Sequence, residues 1–353
     1  MTEPRIREIV RQFRENGLKL LLHHPANARD LLALTGTRLL DRIDFARMTV
    51  DPTTYIASDY RHLASDLVLR APLRGLGGRR AARTVVVYIL IEHQSEPEGM
   101  ILLRVLDYLV QIWKGQRRDW LRLRRSLAAF RLQPVLPVVF YTGVQRWDDP
   151  GRLVDLVEAG DLFRDVTPDY RPLFVSLPAL PPAALESAGG YFSWVLELVQ
   201  QRRARPEEFR DLLRRVVGHL EAMPAAERLR WLELLSYTQA LIYHDREPAE
   251  REGLKEVIVA SVRTDEHRQE VRAMGQSIAD VLRAEGRKEG LHEGEVRVRQ
   301  ELLLLLLRHR FARVPKAVER TVRATEDVEQ LTAWVLGASS ANRLEEVGIR
   351  REG

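Results

Sequence analysis

Thr84-Val-Val-Val-Tyr-Ile-Leu-Ile-Glu92-His93-Gln94-Ser95 is an apolar run that ends in a carboxylate and an amide. Its first eight residues favour extended backbone and predict a buried strand. Side chains alternate along a strand, so Glu92 and Gln94 share one face and His93 takes the other. Upstream, Ser65-Asp66-Leu67-Val68-Leu69 sets a second acid in a second short apolar run. Gly75, Gly77 and Gly78 lie between the runs and predict a hairpin loop. Antiparallel pairing about that loop brings Asp66 within a few residues of the position opposite Glu92, with the register left open.

Around this pair the pattern alternates between β and helical periods. Residues 5–22 have helical spacing interrupted at Asn16-Gly17, and a short helix is predicted from Ala26 to Leu34. The adjacent His23 and His24 do not face the same way on a helix and read as ordinary turn residues. Ile43 to Val50 and Thr54 to Leu69 read as strands about the Asp51-Pro52-Thr53 turn. After Gln94, Ser95 and Glu98 have capping-box spacing, which predicts a helix running to about Lys114. On it Arg104, Tyr108 and Gln111 line up as a polar face, directed at the site or simply at water. Val135 to Tyr141 and Leu173 to Leu177 predict two more strands.

Strands bracketing helices predict an α/β sheet. From Tyr191 onward the β pattern stops and helical patterns follow, bounded by Pro206, Pro224 and Pro248. The expected division is a sheet domain over 1–205, a helical extension over 206–262 and a charged helical segment over 263–353. In the last segment Gly286, Gly290 and Gly294 recur at a spacing of four, predicting close helix approach or a hinge. Six consecutive leucines, Leu302 to Leu307, require a partner surface in this chain or on another copy.

The chain has 353 residues and no cysteine, which excludes disulfides, thiolate metal sites and a cysteine nucleophile. Without an apolar run of about 18 residues or a leader-like opening, a soluble cytoplasmic protein is expected. A net charge of +5 predicts an anionic partner, and nearly all of the positive charge is arginine. Arginines cluster twice. Arg70, Arg74, Arg79, Arg80 and Arg83 surround the glycine-rich loop, a phosphate-contacting tip or a solvated loop. Lys114 to Arg131 carries Arg117, Arg118, Arg122, Arg124 and Arg125 with Trp113, Trp120 and Phe130 interleaved, which fits a nucleic-acid backbone.

Two carboxylates on neighbouring strands, a polar group two residues on and basic flanks predict a magnesium-dependent phosphodiester hydrolase, or else solvated strand-end acids. The runs Ala64-Ser65-Asp66-Leu67-Val68, Leu90-Ile91-Glu92-His93-Gln94-Ser95, Leu103 to Val110 and Pro134 to Gly143 resemble the Rpn family of recombination-promoting nucleases, also described as transposases. The resemblance covers roughly 15–180; the Gly286-Arg-Lys-Glu-Gly290 segment with Arg308-His-Arg-Phe311 is similar to the helical segment that often ends these proteins.

That resemblance implies a restriction-endonuclease-like PD-(D/E)XK mixed sheet flanked by helices, an all-helical C-terminal region, and metal-dependent DNA cleavage linked to recombination. Carried over, Asp66 and Glu92 hold magnesium, for which manganese may substitute, with the His93 carbonyl as a further ligand. Gln94 stands where most nucleases of this fold carry lysine, and its amide supplies neither positive charge nor base. Glu15 matches an acid of the family's first helix, with Lys19 beside it. Arg79, Arg80, Arg104, Tyr108, Arg117 and Arg118 are expected to meet DNA. The alternative is a nuclease-fold DNA-binding protein with little or no turnover, whose C-terminal helices join copies of the chain.

Overall fold

The computed structural model describes residues 2–51, 67–74, 86–124, 126–311 and 314–349. Asp66, Arg79, Arg80 and the glycine-rich loop lie outside the described residues. The chain opens with α1 (Thr2–Arg11), a π-helical turn over Phe13–Gly17, α2 (Leu18–Leu22) and α3 (Pro25–Ala33). The break expected at Asn16-Gly17 is thus a wide turn inside an otherwise helical run.

Five strands form one mixed sheet in the order β1 (Thr49–Val50), β2 (Leu67–Pro72), β3 (Val86–Gln94), β4 (Val135–Tyr141), β5 (Leu173–Ser176). The β1–β2 and β2–β3 ladders are antiparallel, and β3–β4 and β4–β5 are parallel. Of the strand predicted from Ile43 to Val50, only Thr49 and Val50 are extended. Two 3₁₀ turns, Leu40–Arg42 and Phe45–Arg47, precede them, and Ile43 joins the sheet by a single bridge to Leu73.

The β3 run reads apolar throughout because both faces are covered. Ile89, Leu90 and Ile91 are fully buried, and each such side chain contributes roughly 1.5–3 kcal/mol. On the even-numbered face, Tyr88 and Leu90 pack with Val68, Val139 and Leu153 against α4 (Ile101–Arg122), through its Ile101, Leu102, Val105, Leu109 and Ile112. The helix outlasts the expected end at Lys114 by two turns. It also starts later than the capping box predicts: Met100 is its N-cap, without a side-chain hydrogen bond, and Ser95 lies in a bend.

After β5 come α5 (Pro182–Ala188), α6 (Tyr191–Gln200), α7 (Pro206–Leu220), α8 (Arg228–Asp245) and α9 (Pro248–Ser261). Prolines open α5, α7 and α9, as their missing N–H and fixed φ favour. Compact units comprise residues 1–278 and 279–353. Within the first, α1 packs on α8 and α3 on α6, so helices from both sides of residue 205 share one interior. An ion-pair network ties them: Arg230 reaches the Asp30 carboxylate at 2.9 Å and Asn27 Oδ1 at 2.7 Å, and Asp30 also accepts from the Phe192 backbone N–H.

The helix α10 spans Asp265–Arg310 without a break. Among the described residues, a Cβ added at Gly286, Gly290 or Gly294 would meet no atom within 4 Å, so no helix of this chain approaches them closely there. In the second unit, Leu303, Leu304 and Leu307 pack against α11 (Lys316–Ala324) and α12 (Val328–Ser340) through Val318, Val322, Leu331 and Trp334. Part of the leucine run therefore finds its partner surface within the chain. Among the described residues no helix is long and apolar enough to cross a membrane.

Candidate active site

Strand alternation carries Glu92 and Gln94 to the α4 face at the carboxyl end of β3 and turns His93 to the opposite face. Glu92 is 1 % exposed. A carboxylate buried that deeply costs several kcal/mol unless it is paired and hydrogen-bonded. Arg104, one turn into α4, meets this need by placing Nη2 2.5 Å from Glu92 Oε1, and the Gln94 amide donates to the same oxygen. The other guanidinium nitrogen, Nη1, lies 2.6 Å from the Glu98 carboxylate in the loop before α4.

His93 points away from this cluster. Its Nε2 lies 2.8 Å from Thr142 Oγ1, and its ring lies against Phe140. Burial, with the charge of Lys19 in second place, pushes its pKa down to about 3, so the ring is neutral. Lys19 itself is buried on α2. The backbone of His93 is a separate matter. The Gln94 carbonyl accepts from Thr142 N–H at 2.9 Å on the β4 side, and peptide groups alternate along a strand, so the His93 carbonyl is directed toward β2. There the last described ladder pair sets Leu67 opposite Ile91.

The strand end is braced from below. Arg202 Nη2 donates to the Thr142 carbonyl at 2.9 Å, and Arg246 donates to the carbonyls of Arg202 and Ala204. Gly143 is required where the chain leaves β4, because a Cβ there would overlap the Ser95 carbonyl and the Tyr141 ring.

Of the residues predicted from sequence, Glu92, Gln94 and Arg104 come together, and His93 contributes its backbone to the same strand end. Tyr108 does not join the surface expected for it: it is 6 % exposed and belongs to the core between α4 and the sheet. The helical line Arg104-Tyr108-Gln111 faces the sheet rather than solvent over its middle. Arg117 and Arg118 are exposed near the far end of α4, about 20 Å along the helix from Arg104. Glu15 belongs to the π-helical turn, and its side chain lies outside the described residues, as does Asp66. Sequence reasoning missed Glu98 as a partner of Arg104, having read it as a capping residue, and missed Thr142 as a partner of His93.

As a donor set, the Glu92 carboxylate and the His93 carbonyl are hard oxygen ligands of the kind magnesium takes, with water completing its shell. Among the described residues no group of three or more histidines and acids is arranged to hold a metal ion. A model of the family described as "Putative transposase, YhgA-like" matches residues 15–230, more than half of the chain. No curated protein and no solved structure matches it.

Proposed function

Because the chain belongs to the YhgA-like putative transposase family, we propose that it is a metal-dependent DNA endonuclease that serves recombination or mobile-element DNA and is built on the PD-(D/E)XK plan. One observation carries this reading. Asp66 and Glu92 are the next chain positions beyond Leu67 and Ile91, the terminal described pair of the antiparallel β2–β3 ladder.

Asp66, Glu92 and the His93 carbonyl would hold magnesium, or manganese in its place. When bound, the ion would lower the pKa of an attacking water and offset charge on the phosphoryl oxygens. The protein's own contribution is order. Arg104 and Gln94 together fix the Glu92 side chain at one oxygen. Gln94 lacks a charge, so its amide orients water or phosphate. Glu15 is proposed as a further acid of the site on the family resemblance alone. The exposed Arg117 and Arg118, with Arg79 and Arg80, are proposed to hold the DNA backbone, whereas Arg104 is committed to Glu92 and Glu98.

A second reading is favoured by the closure of Glu92 under Arg104: a nuclease-fold DNA-binding protein with little turnover. Purified protein incubated with supercoiled plasmid separates the two. Magnesium-dependent nicking that a chelator stops, and that Asp66→Ala and Glu92→Ala abolish, supports the nuclease. Equal cutting by either variant removes the site assignment. Salt-sensitive binding without cleavage in magnesium or manganese supports the second reading.

A further inference from the structure

Two exposed apolar patches of opposite charge flank α4. The segment between β4 and β5 carries seven acids (Asp148, Asp149, Asp155, Glu158, Asp161, Asp165 and Asp169), of which Asp148, Asp149, Asp161 and Asp169 pair with Arg146, Arg171, Arg164 and Arg152, so that Asp155, Glu158 and Asp165 make up its excess negative charge. It also exposes Leu162 at 84 %, Val166 at 78 % and Phe163 at 51 %, with Leu156 and Val157 beside them. That excess of negative charge disfavours DNA and an anionic membrane alike. The opposite patch is the end of α4 and the turn after it. There Leu121, Leu123, Leu127 and Leu132 are exposed among Arg122, Arg124 and Arg131, with Asp119 beside Arg122. Phosphates would use the arginines of this patch and leave its leucines without a contact.

Hydrogen bonds and packing brace parts of both patches. In the acidic one Leu153 and Val154 are buried, Asp169 accepts from Val154 N–H at 3.2 Å and pairs with Arg152 at 2.6 Å, and Tyr170 Oη donates to the Leu102 carbonyl near the start of α4. In the basic one Trp120 donates to the Ser126 carbonyl at 3.0 Å and packs on Phe130. A preordered surface loses little conformational freedom on binding. From Leu102 to Arg122 the helix rises about 30 Å, so the two patches stand at its opposite ends.

We infer that these patches are the two halves of one self-complementary interface, the acidic segment of one copy docking on the basic end of α4 in a second copy of this chain. Charge complementarity chooses the occupant: each patch offers leucine-sized apolar groups ringed by the charge the other lacks. A two-fold axis lets both contacts form at once and closes the pair as a dimer.

Light scattering on the full chain tests this with two charge-reversed proteins. One carries Asp161→Arg and Asp165→Arg, the other Arg122→Glu and Arg124→Glu. The unaltered chain should run as a dimer at low salt and dissociate as salt rises. Each variant alone should be monomeric, its association weakened at least about ten-fold, and an equimolar mixture should regain the dimer, because every contact is again between opposite charges. Leu162→Ser with Val166→Ser provides a neutral variant that should also be monomeric. A monomeric unaltered chain at low salt overturns the inference, as does a dimer indifferent to both reversals or a mixture that stays monomeric. Loss of DNA binding by Arg122→Glu and Arg124→Glu with no change of mass would assign the basic end to nucleic acid instead and overturn it as well.

Discussion

Arg104 Nη2 lies 2.5 Å from Oε1 of Glu92, joining the first turns of α4 to the carboxyl end of β3 through a carboxylate that is almost wholly buried. The same guanidinium holds Glu98. One arginine thus fixes the strand-end acid and the loop that precedes the helix.

Arg104→Met should therefore leave Glu92 buried without its cation. Removing one member of a buried pair costs about 3–5 kcal/mol, and with Arg104 at 28 % side-chain exposure the expected loss is about 2 kcal/mol. Urea unfolding checks this. A midpoint within error of the unaltered protein's would show that Glu92 does not depend on Arg104.

Gly190→Ala should be as damaging from a greater distance. A Cβ at this position would overlap the carboxyl group of Asp30, which holds Arg230 and the Phe192 N–H. Moving that carboxyl breaks a buried network between α3, α6 and α8, and about 3 kcal/mol is expected. Gly253→Ala is the control, since an added Cβ there meets only the end of the Arg210 side chain at 3.8 Å. Calorimetry on both should show a large fall in Tm for the first and little change for the second.

β3, β4 and β5 were readable in the sequence because strands covered on both faces are continuous apolar runs with no competing helical period. The Ile43 to Val50 run was misread because β-type composition does not reveal that 3₁₀ turns close its hydrogen bonds locally. Tyr108 looked like a surface residue because helical spacing fixes which side chains align, not which side the sheet covers. Glu98 could not be found from spacing at all: its partner Arg104 is six residues on, and only the bend before α4 brings the two together.

In the second unit the leucine run offers a graded test. Leu303 is fully buried against α11 and α12, whereas Leu305 is 66 % exposed. Leu303→Ala should cost about 2–5 kcal/mol, and Leu305→Ala should stay within about 0.5 kcal/mol. Hydrogen exchange over residues 316–340 reads the difference. Equal effects would mean that the run packs on both faces.

Acid should weaken the first unit through its histidines. His93 is pushed down to about 3 by burial and then by Lys19. His23 and His24 are pushed down to about 4, by burial first and then by Arg5 and Arg230 respectively. Histidine in the unfolded chain titrates near 6.5, so between that value and the lowered ones the unfolded state binds more protons. The stability is fully present above about 6.5 and is lost as pH falls through this window. Burial raises the proton affinity of Asp30, Glu197 and Glu233, which opposes the loss at the acid end. Urea midpoints at about pH 7 and about pH 5 should therefore fall, and His93→Gln should flatten part of the fall. A flat profile for the unaltered protein would count against neutral buried rings.

Gln94 decides how the site can work. Its amide donates to the oxygen of Glu92 that Arg104 also holds, so it acts on the carboxylate through a neutral dipole. Gln94→Glu would replace the donor with a second carboxylate beside Glu92, so the hydrogen bond to the Glu92 oxygen is lost and like charges this close raise the proton affinity of the pair. Gln94→Lys keeps a donor and adds a charge able to stabilise a phosphoryl oxygen. For a nuclease, plasmid nicking should be lost with Gln94→Glu and be kept or raised with Gln94→Lys. Lost activity in the lysine variant, with its fold intact by circular dichroism, would mean that the neutral amide is the needed property. Activity retained by the glutamate variant would remove Gln94 from the site, leaving Glu92 and Arg104 to act without it.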